Sequence, residues 1–517
     1  MKALIVHGHF YQPPRENPWS GQVETEISAA PFHDWNERIH FECYRANAFV
    51  RAGEPGPNEQ FINNYAHISF NFGPTLLSWL EQHHAYTYAR VQEADRESAL
   101  NRAGHGNAIA QAYGHAILPL CNERDLRTQI RWGIADFRHR FGRAPEAMWL
   151  PETACNDQVM TSLIDEGLRY VILAPHQASR VRIPATDGGR DSAGEWHEVN
   201  ERTIDTSLAY RYLAGANPKQ SIAVFFYDGP TSRAIAFEKR LSSSRELIDG
   251  LTRAAHGKEM INVATDGETY GHHFKFGDLG LAHALMTEAP SRDFKITNYG
   301  EFLDHNPPRF DIEINNGPRG EGASWSCAHG IDRWIRDCGC HTGGEPGWNQ
   351  SWRAPLRAAL DFLRDENIPY FECTRNDLFT LPWVARDESI SLILNKNASR
   401  EVFLMAHAGR RLFWEDQARA LGYLELQRML LLMYTSCGWF FNDISGIETI
   451  QILKYAARAI DLMEQLGLPS SRDRFLEILA EAKSNRAEMG TGADIYRRSV
   501  EPLDPEMGVR GLAILST

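Results

Sequence analysis

Long apolar runs, basic clusters and closely spaced cysteines are largely missing from this chain, and each absence removes a class of function. No stretch approaches the ~20 apolar residues that a membrane-spanning helix needs, so no membrane span is expected. Ala3-Leu4-Ile5-Val6 before His7 is too short for the apolar region of a secretory signal and reads as a strand. The formal charge is −13, and no Lys/Arg cluster of the kind that neutralises phosphates interrupts it. Nucleic acids and anionic membrane surfaces are therefore poor partners, and a neutral or cationic ligand fits better. Eight cysteines are scattered over 517 residues, which points to reduced thiols and a cytoplasmic location. Internal repeats and low-complexity segments are also absent.

What is present is core material in quantity. The length exceeds that at which one hydrophobic core usually stops growing, so two domains or one enlarged barrel with appendages are expected. Seven short apolar or β-branched runs recur in the first three hundred residues: Ala3 to Val6, Ala66 to Phe70, Ala147 to Leu150, Tyr170 to Leu173, Ile222 to Phe226, Ile261 to Ala264 and Phe294 to Thr297. Such runs suit strands buried on both faces of a parallel sheet. Helical patterns separate them. Asn122 is a candidate N-cap, with Leu126, Ile130, Ile134, Phe137 and Phe141 at helical spacing until Gly142. A second helix starts at Asn156, buries Val159, Leu163 and Ile164, and ends at Gly167. Strand then helix, repeated, predicts a parallel α/β barrel. Long inserts from about His9 to Tyr65, Asn71 to Pro145 and His176 to Gln220 would build its substrate-binding rim, with Asp187 to Gly194 a polar, mobile loop. After Asn306-Pro307-Pro308 the texture becomes helical, over 353 to 364, 410 to 435, 446 to 466 and 472 to 486. The expected division is a catalytic barrel over 1–307 and a mainly helical region over 308–517.

Two of the apolar runs end on an acid. Pro151 ends one strand just before Glu152, because proline cannot donate to the ladder, and Asp266 closes another. A barrel strand that delivers a carboxylate at its C-terminal end is a common way to present a catalytic group, and glycosidic bond cleavage requires two such acids facing each other. Glu268 is the alternative acid if the strand persists beyond Asp266; in a loop it would instead hydrogen-bond a neighbouring side chain and position that loop, a candidate for the substrate-binding set.

Four segments carry a resemblance. Leu4-Ile-Val-His-Gly-His-Phe-Tyr-Gln-Pro-Pro14, Tyr113-Gly-His-Ala-Ile-Leu-Pro-Leu120, Trp149-Leu-Pro-Glu152 and Asp266-Gly-Glu-Thr-Tyr-Gly271 resemble, in order, the first four motifs of glycoside hydrolase family 57. The resemblance implies an α/β fold, an irregular TIM-like (β/α)7 barrel followed by a mainly α-helical C-terminal region. It also implies a retaining enzyme acting on α-glucans as amylase, 4-α-glucanotransferase or branching enzyme, with Glu152 as nucleophile and Asp266 as general acid/base. The family's histidine motifs surround the sugar at the point of cleavage, a role that falls to His9 and His115. Phe10 and Tyr11 intervene before Gln12-Pro13, which leaves His7 and His9 as alternatives. Among the aromatics, Trp149, Tyr270 and Trp325 adjoin motif or polar segments and are candidates for stacking on sugar rings. Trp325-Ser-Cys-Ala-His329 stands in for the family's less regular fifth motif.

Cys327, His329, Cys338, Cys340 and His341 form the one cluster of metal-like composition. Cys338-Gly339-Cys340-His341 lacks the two-residue spacing usual between paired zinc ligands. A glycine-rich loop with buried thiols is therefore preferred, and neither metal nor cofactor is expected. Two other readings stay open. A metal-dependent polysaccharide deacetylase would make Asp266 a ligand or base within a His/Asp set; a non-catalytic glucan-binding barrel would not need both carboxylates. The expected partner is an α-glucan or oligosaccharide, and the oligomeric state is left open.

Overall fold

The structure, a computed structural model, describes residues 1–52, 60–183, 194–215 and 220–501. The loop expected at Asp187 to Gly194 lies, apart from Gly194, outside the described residues.

Seven parallel strands form a continuous series of neighbours. They are β1 (Lys2–Phe10), β2 (Ser69–Phe72), β3 (Ala110–Gln111), β4 (Met148–Trp149), β5 (Tyr170–Leu173), β6 (Ser221–Phe226) and β7 (Met260–Asp266). β1 pairs with β2 and with β7, the latter in a register that sets His9 opposite Asp266. A bridge from Phe70 to Ala108 joins β2 to the approach of β3, β3 pairs with β4, and a bridge from Ala147 to Tyr170 joins β4 to β5. β5 pairs with β6, and Asp228 N just beyond β6 donates to Asn262 O of β7 at 2.8 Å. Alternate residues of these strands face one core: Tyr170, Ile172 and Ala174 from β5 and its end, Ala223, Phe225 and Tyr227 from β6, Met260 and Ala264 from β7. A period of two is the strand repeat, so this core takes one face of each strand.

The apolar runs at Tyr170, Ile222 and Ile261 are strands as expected, and Ala147 to Leu150 holds the shorter Met148–Trp149. Ala66 to Phe70 is displaced: Asn64–Ala66 is a 3-10 turn, and the strand starts at Ser69. Phe294–Ile296 is a strand, but it pairs with the start of β1 outside the series, whose remaining member is Ala110–Gln111 from within an expected insert. The third insert also supplies sheet: Ala209–Leu213 pairs antiparallel with β6 and continues through Asp311–Ile314 and Ala178–Arg182 to His197–Glu198.

Helix starts follow their capping residues. Asn122 Oδ1 accepts from Asp125 N at 2.9 Å before the helix Glu123–Phe141, and Asn156 accepts from Val159 N at 3.0 Å before Asp157–Asp165. In the C-terminal region the helices are Arg353–Glu372, Arg400–Ala408, Trp414–Leu432, Ile447–Gln465 and Arg472–Leu479, with shorter ones between. The expected helix over 410 to 435 is shortened at its start because Gly409, at φ 66°, ends the preceding helix in the left-handed conformation. None of the described helices is long and apolar enough to cross a membrane.

The chain divides into two compact units, each assembled from separate stretches. The first contains Met1–Gln12, Thr25–Ala112 and Phe137–Trp325; the second contains Pro13–Glu24, Tyr113–Asp136 and the chain from Ser326 onward. Within the second unit the buried Arg386 ties the 113–136 stretch to the helices, its Nη1 donating to Asp125 Oδ1 at 2.6 Å and its Nη2 to Thr128 Oγ1 at 2.6 Å.

Candidate active site

Glu152 stands on a turn held in an unusual conformation. Pro151–Thr153 follows β4, and both Glu152 (φ 57°) and Thr153 (φ 51°) occupy the left-handed region. Each such non-glycine residue costs on the order of 1–3 kcal/mol and persists only where its surroundings over-determine it. Here they do. Thr153 N donates to Leu150 O at 2.8 Å. Gln177 is buried, and all four of its amide positions are used: Oε1 accepts from Thr153 Oγ1 and Ala174 N, while Nε2 donates to Thr153 O and Ala323 O, all within 2.8–2.9 Å. Trp325 then holds Glu152 twice, its backbone N donating to Glu152 O and its Nε1 to Glu152 Oε2, both at 3.0 Å.

Asp266 ends β7 and is the one residue of that strand open to solvent. It is nevertheless ringed by protein, so that water reaches the carboxyl without fully solvating it. Desolvation, and then the negative charge of Glu152, raise its pKa from 3.8 to about 7. The two acids therefore act on each other. Gly267 follows because the strand end crowds β1: a Cβ there would lie 2.2 Å from the Phe10 ring. Tyr227, beyond β6, faces the same acid, and burial with the Asp266 charge pushes its hydroxyl up.

The histidines separate into distinct environments. His7 is wholly buried, stacked on Trp149 with centroids 4.7 Å apart, with Nδ1 against Ser69 Oγ at 3.0 Å and Nε2 against Asn71 Oδ1 at 3.1 Å. It is a packed core residue. His9, at the strand end, takes a hydrogen bond from Asn71 Nδ2 on its Nδ1 at 2.9 Å, which leaves the proton on Nε2. It stacks on Trp149 at 5.1 Å and meets Trp325 edge-on at 6.3 Å. Burial lowers both imidazoles to about 3, so both are neutral at working pH. His115 belongs to the second unit, where its Nδ1 pairs with Ser436 Oγ at 2.7 Å and its own φ is 53°.

Trp149 and Tyr270 do not offer a face to a sugar. Both are fully buried; Trp149 is the plate under His7 and His9, and the Tyr270 hydroxyl is held by Thr265 Oγ1 at 3.0 Å. Sequence position beside a motif said nothing of which way the rings would pack. Trp325 alone of the three is partly open. Glu268 is buried, with Oε1 accepting from Tyr44 Oη at 2.6 Å and from Tyr11 N at 3.0 Å. Burial raises its pKa to about 8. Sequence reasoning missed Gln177 and Tyr227, which carry no motif, and had Asn71 only as the start of an insert.

All eight cysteines are free thiols. Among the described residues, the side chains that converge as a possible ligand set are Cys327, His329, Cys338 and Cys340, and separately Glu37, His40 and His84; neither set includes Asp266.

Parallel strands that bring two interacting acids together at their carboxyl ends define the class, an α/β enzyme of the glycosidase type. The chain belongs to glycosyl hydrolase family 57, whose model matches residues 26–315. Residues 348–510 match a domain of unknown function (DUF3536). Over 184 residues the chain is 22% identical to alpha-amylase 1 of Dictyoglomus thermophilum, a match spanning 35% of this chain and only 26% of that protein. The structure of an exo-type maltose-forming amylase from Pyrococcus sp. ST04 is similar with a TM-score of 0.62 at 17% identity, covering 93% of this chain and 82% of the other. A GH57-type branching enzyme from Pyrococcus horikoshii gives 0.55 at 14% identity, covering 97% and 98%. At these identities the likeness is one of fold.

Proposed function

We propose that this protein is a retaining enzyme acting on α-glucans, with Glu152 as nucleophile and Asp266 as general acid/base. The observation that carries the reading is the electrostatic coupling of the two acids: Asp266 is raised to about 7 by burial and by the Glu152 charge. An acid in that range holds a proton at neutral pH and can still release it. Support for α-glucans comes from the relatives, an alpha-amylase, a maltose-forming amylase and a branching enzyme by name.

The seven parallel strands are read as a (β/α)7 barrel that closes between β6 and β7, supported by the bond from Asp228 N to Asn262 O. In the first step the Glu152 carboxylate attacks the anomeric carbon while Asp266 protonates the departing glycosidic oxygen. The ester so formed carries no charge at Glu152. Loss of that charge removes one of the two causes of Asp266's raised pKa, and the now ionised Asp266 takes a proton from water or from an acceptor hydroxyl as the ester is broken. Trp325 Nε1, donating to Oε2, orients the Glu152 carboxylate for that attack. His9, neutral and with its proton on Nε2, donates to a sugar hydroxyl. A polar groove of about 590 Å³ lined by His176, Ser179, Glu198, Asn200, Arg202 and Asn315 suits a hydroxyl-rich chain. Among the described residues no converging ligand set includes Asp266, as the deacetylase alternative would need.

The test is to incubate the protein with maltoheptaose and amylose and to profile chain length and branch points. Shorter chains alone mean hydrolysis, longer ones transfer, new 1,6 linkages branching. Glu152→Gln should lower turnover by roughly 10⁴-fold or more, and Asp266→Asn by about 10²–10⁴-fold, with activated aryl glycosides spared in the first step. Wild-type turnover in Glu152→Gln would end the nucleophile assignment.

A further inference from the structure

Outside the carboxylate pair, the second unit contains a tighter constellation. Cys327, His329, Cys338 and Cys340 each contribute one ligand atom, and all four atoms lie within 4.8 Å of one another. Cys327 Sγ is 3.9 Å from Cys338 Sγ and 3.8 Å from Cys340 Sγ; Cys340 Sγ is 3.5 Å from His329 Nδ1. These lengths can be compared with those an ion would impose. Zinc binds thiolate sulfur at about 2.3 Å and imidazole nitrogen at about 2.0–2.1 Å. A tetrahedron with those bonds has sulfur–sulfur edges of about 3.8 Å and sulfur–nitrogen edges of about 3.5 Å. The three observed edges match. Thiols alone are weak donors and weak acceptors, too weak to draw two loop cysteines and an exposed imidazole on to one point.

The local backbone is built for this convergence. The ligands come as two pairs with one residue between members, Cys327-x-His329 and Cys338-x-Cys340. Gly339, at φ 77°, adopts the left-handed conformation that lets the thiols on either side of it turn the same way. His341 is not part of the set; it is exposed, and its Nδ1 accepts from Gly343 N at 3.1 Å. The spacing argument against a metal assumed that each ligand pair spans two residues, whereas here two shorter pairs are folded together.

Charge supplies an independent observation. Arg353 has no exposed surface, and its Nη1 donates to Cys340 O at 2.9 Å. Among the described residues no carboxylate pairs with it. A buried guanidinium without a counter-charge is costly. Three thiolates and a neutral imidazole around a divalent ion leave one net negative charge beside it. The segment also needs an anchor: residues 341–347 are all exposed, and between the turn Asp332–Trp334 and the helix Arg353–Glu372 the chain has no regular element. The cluster falls between the two matched ranges, 26–315 and 348–510.

We propose that Cys327, His329, Cys338 and Cys340 hold a structural zinc(II) ion as a Cys3His site. Four protein ligands complete the tetrahedron and leave no position for a reacting water, so the ion fastens the loop rather than taking part in glycosyl transfer. Each thiol gives up its proton on binding, and uptake weakens as pH falls.

The test uses the full-length chain, free of any polyhistidine tag and purified from zinc-supplemented cells, with metal read by mass spectrometry. About one zinc per chain is expected, released by a thiol-reactive mercurial with a fall in Tm. Cys338→Ser should abolish retention, whereas Cys373→Ser, at an exposed thiol elsewhere, should keep it. To separate loss of the metal from loss of the fold in Cys338→Ser, wild-type protein reconstituted with cobalt(II) provides a second measurement. Thiolate-to-cobalt charge-transfer and tetrahedral d–d bands would support the site. A folded wild-type chain with well under one zinc and no cobalt spectrum, or a Cys327–Cys338 disulfide in non-reduced peptides, would overturn it.

Discussion

Burial and charge act on Asp266 in the same direction, and the consequence reaches both catalysis and stability. In the proposed mechanism its proton must be present when the leaving oxygen departs. With the pKa raised to about 7, kcat/KM on an unactivated maltooligosaccharide should hold below that pH and fall about tenfold per pH unit above it, while an activated aryl donor gives a flatter alkaline limb. Stability follows the same titration. The ordinary value is 3.8, so between 3.8 and about 7 the folded chain binds more protons than the unfolded one, and the contribution of this group is full at low pH and lost as pH rises through the folded value. Asp266→Asn removes the ionisation and its cost. The variant should resist denaturation better than wild type at about pH 8 and match it at about pH 4. Urea titrations at the two pH values check this; an unchanged difference between them would show that Asp266 titrates normally. Glu268, raised to about 8, contributes a background with the same sign to both proteins.

At the scale of elements, the turn after β4 is an example of what a sequence can and cannot announce. The strand end at Trp149-Leu150-Pro151 and the acid after it were legible because a buried strand leaves an apolar run and proline cannot extend a ladder. The left-handed conformation of Glu152 and Thr153 was not, since neither residue is a glycine or asparagine and the conformation is imposed by tertiary bonds from Gln177 and Trp325. Ala110–Gln111 escaped notice because two residues carry no period. Ala209–Leu213 escaped because its sequence sits inside an insert with no flanking helix. His7 and His9 were indistinguishable as letters, and only the depth of β1 makes one core and the other strand end. The clamp itself can be measured. Gln177→Ala would leave Thr153 O and Ala174 N without their partner, each worth about 1–3 kcal/mol when buried, and would take from Ala323 O one of two bonds, the other coming from Cys155 N. A loss of roughly 3 kcal/mol or more, with kcat reduced more than KM is raised, is the expected outcome of chemical denaturation and steady-state kinetics on the variant. Unchanged stability would show that the turn is held without it.

For the molecule as a whole, the formal charge of −13 makes a prediction about the kind of substrate rather than about its fit. A protein field of this sign steers cations and repels anions over a range set by ionic strength, roughly 30 Å at 0.01 M and 3 Å at 1 M salt. A neutral glucan feels neither effect. Under the proposed function its recognition would rest instead on short-range contacts to uncharged groups, among them His9, whose imidazole is held neutral with a pKa of about 3, and on the partly open indole of Trp325. Screening the protein's charge should therefore leave the encounter unaltered. kcat/KM for maltoheptaose is expected to change by less than about twofold between ~10 mM and ~500 mM sodium chloride, whereas a polyanionic glycan would be turned over faster as salt rises and a cationic one more slowly. Initial rates across that salt series, under conditions where folding is confirmed at each point, decide the matter. A steep dependence in either direction would mean that the cleft reads a charged group, and the natural substrate would then have to be sought among charged polysaccharides rather than α-glucans.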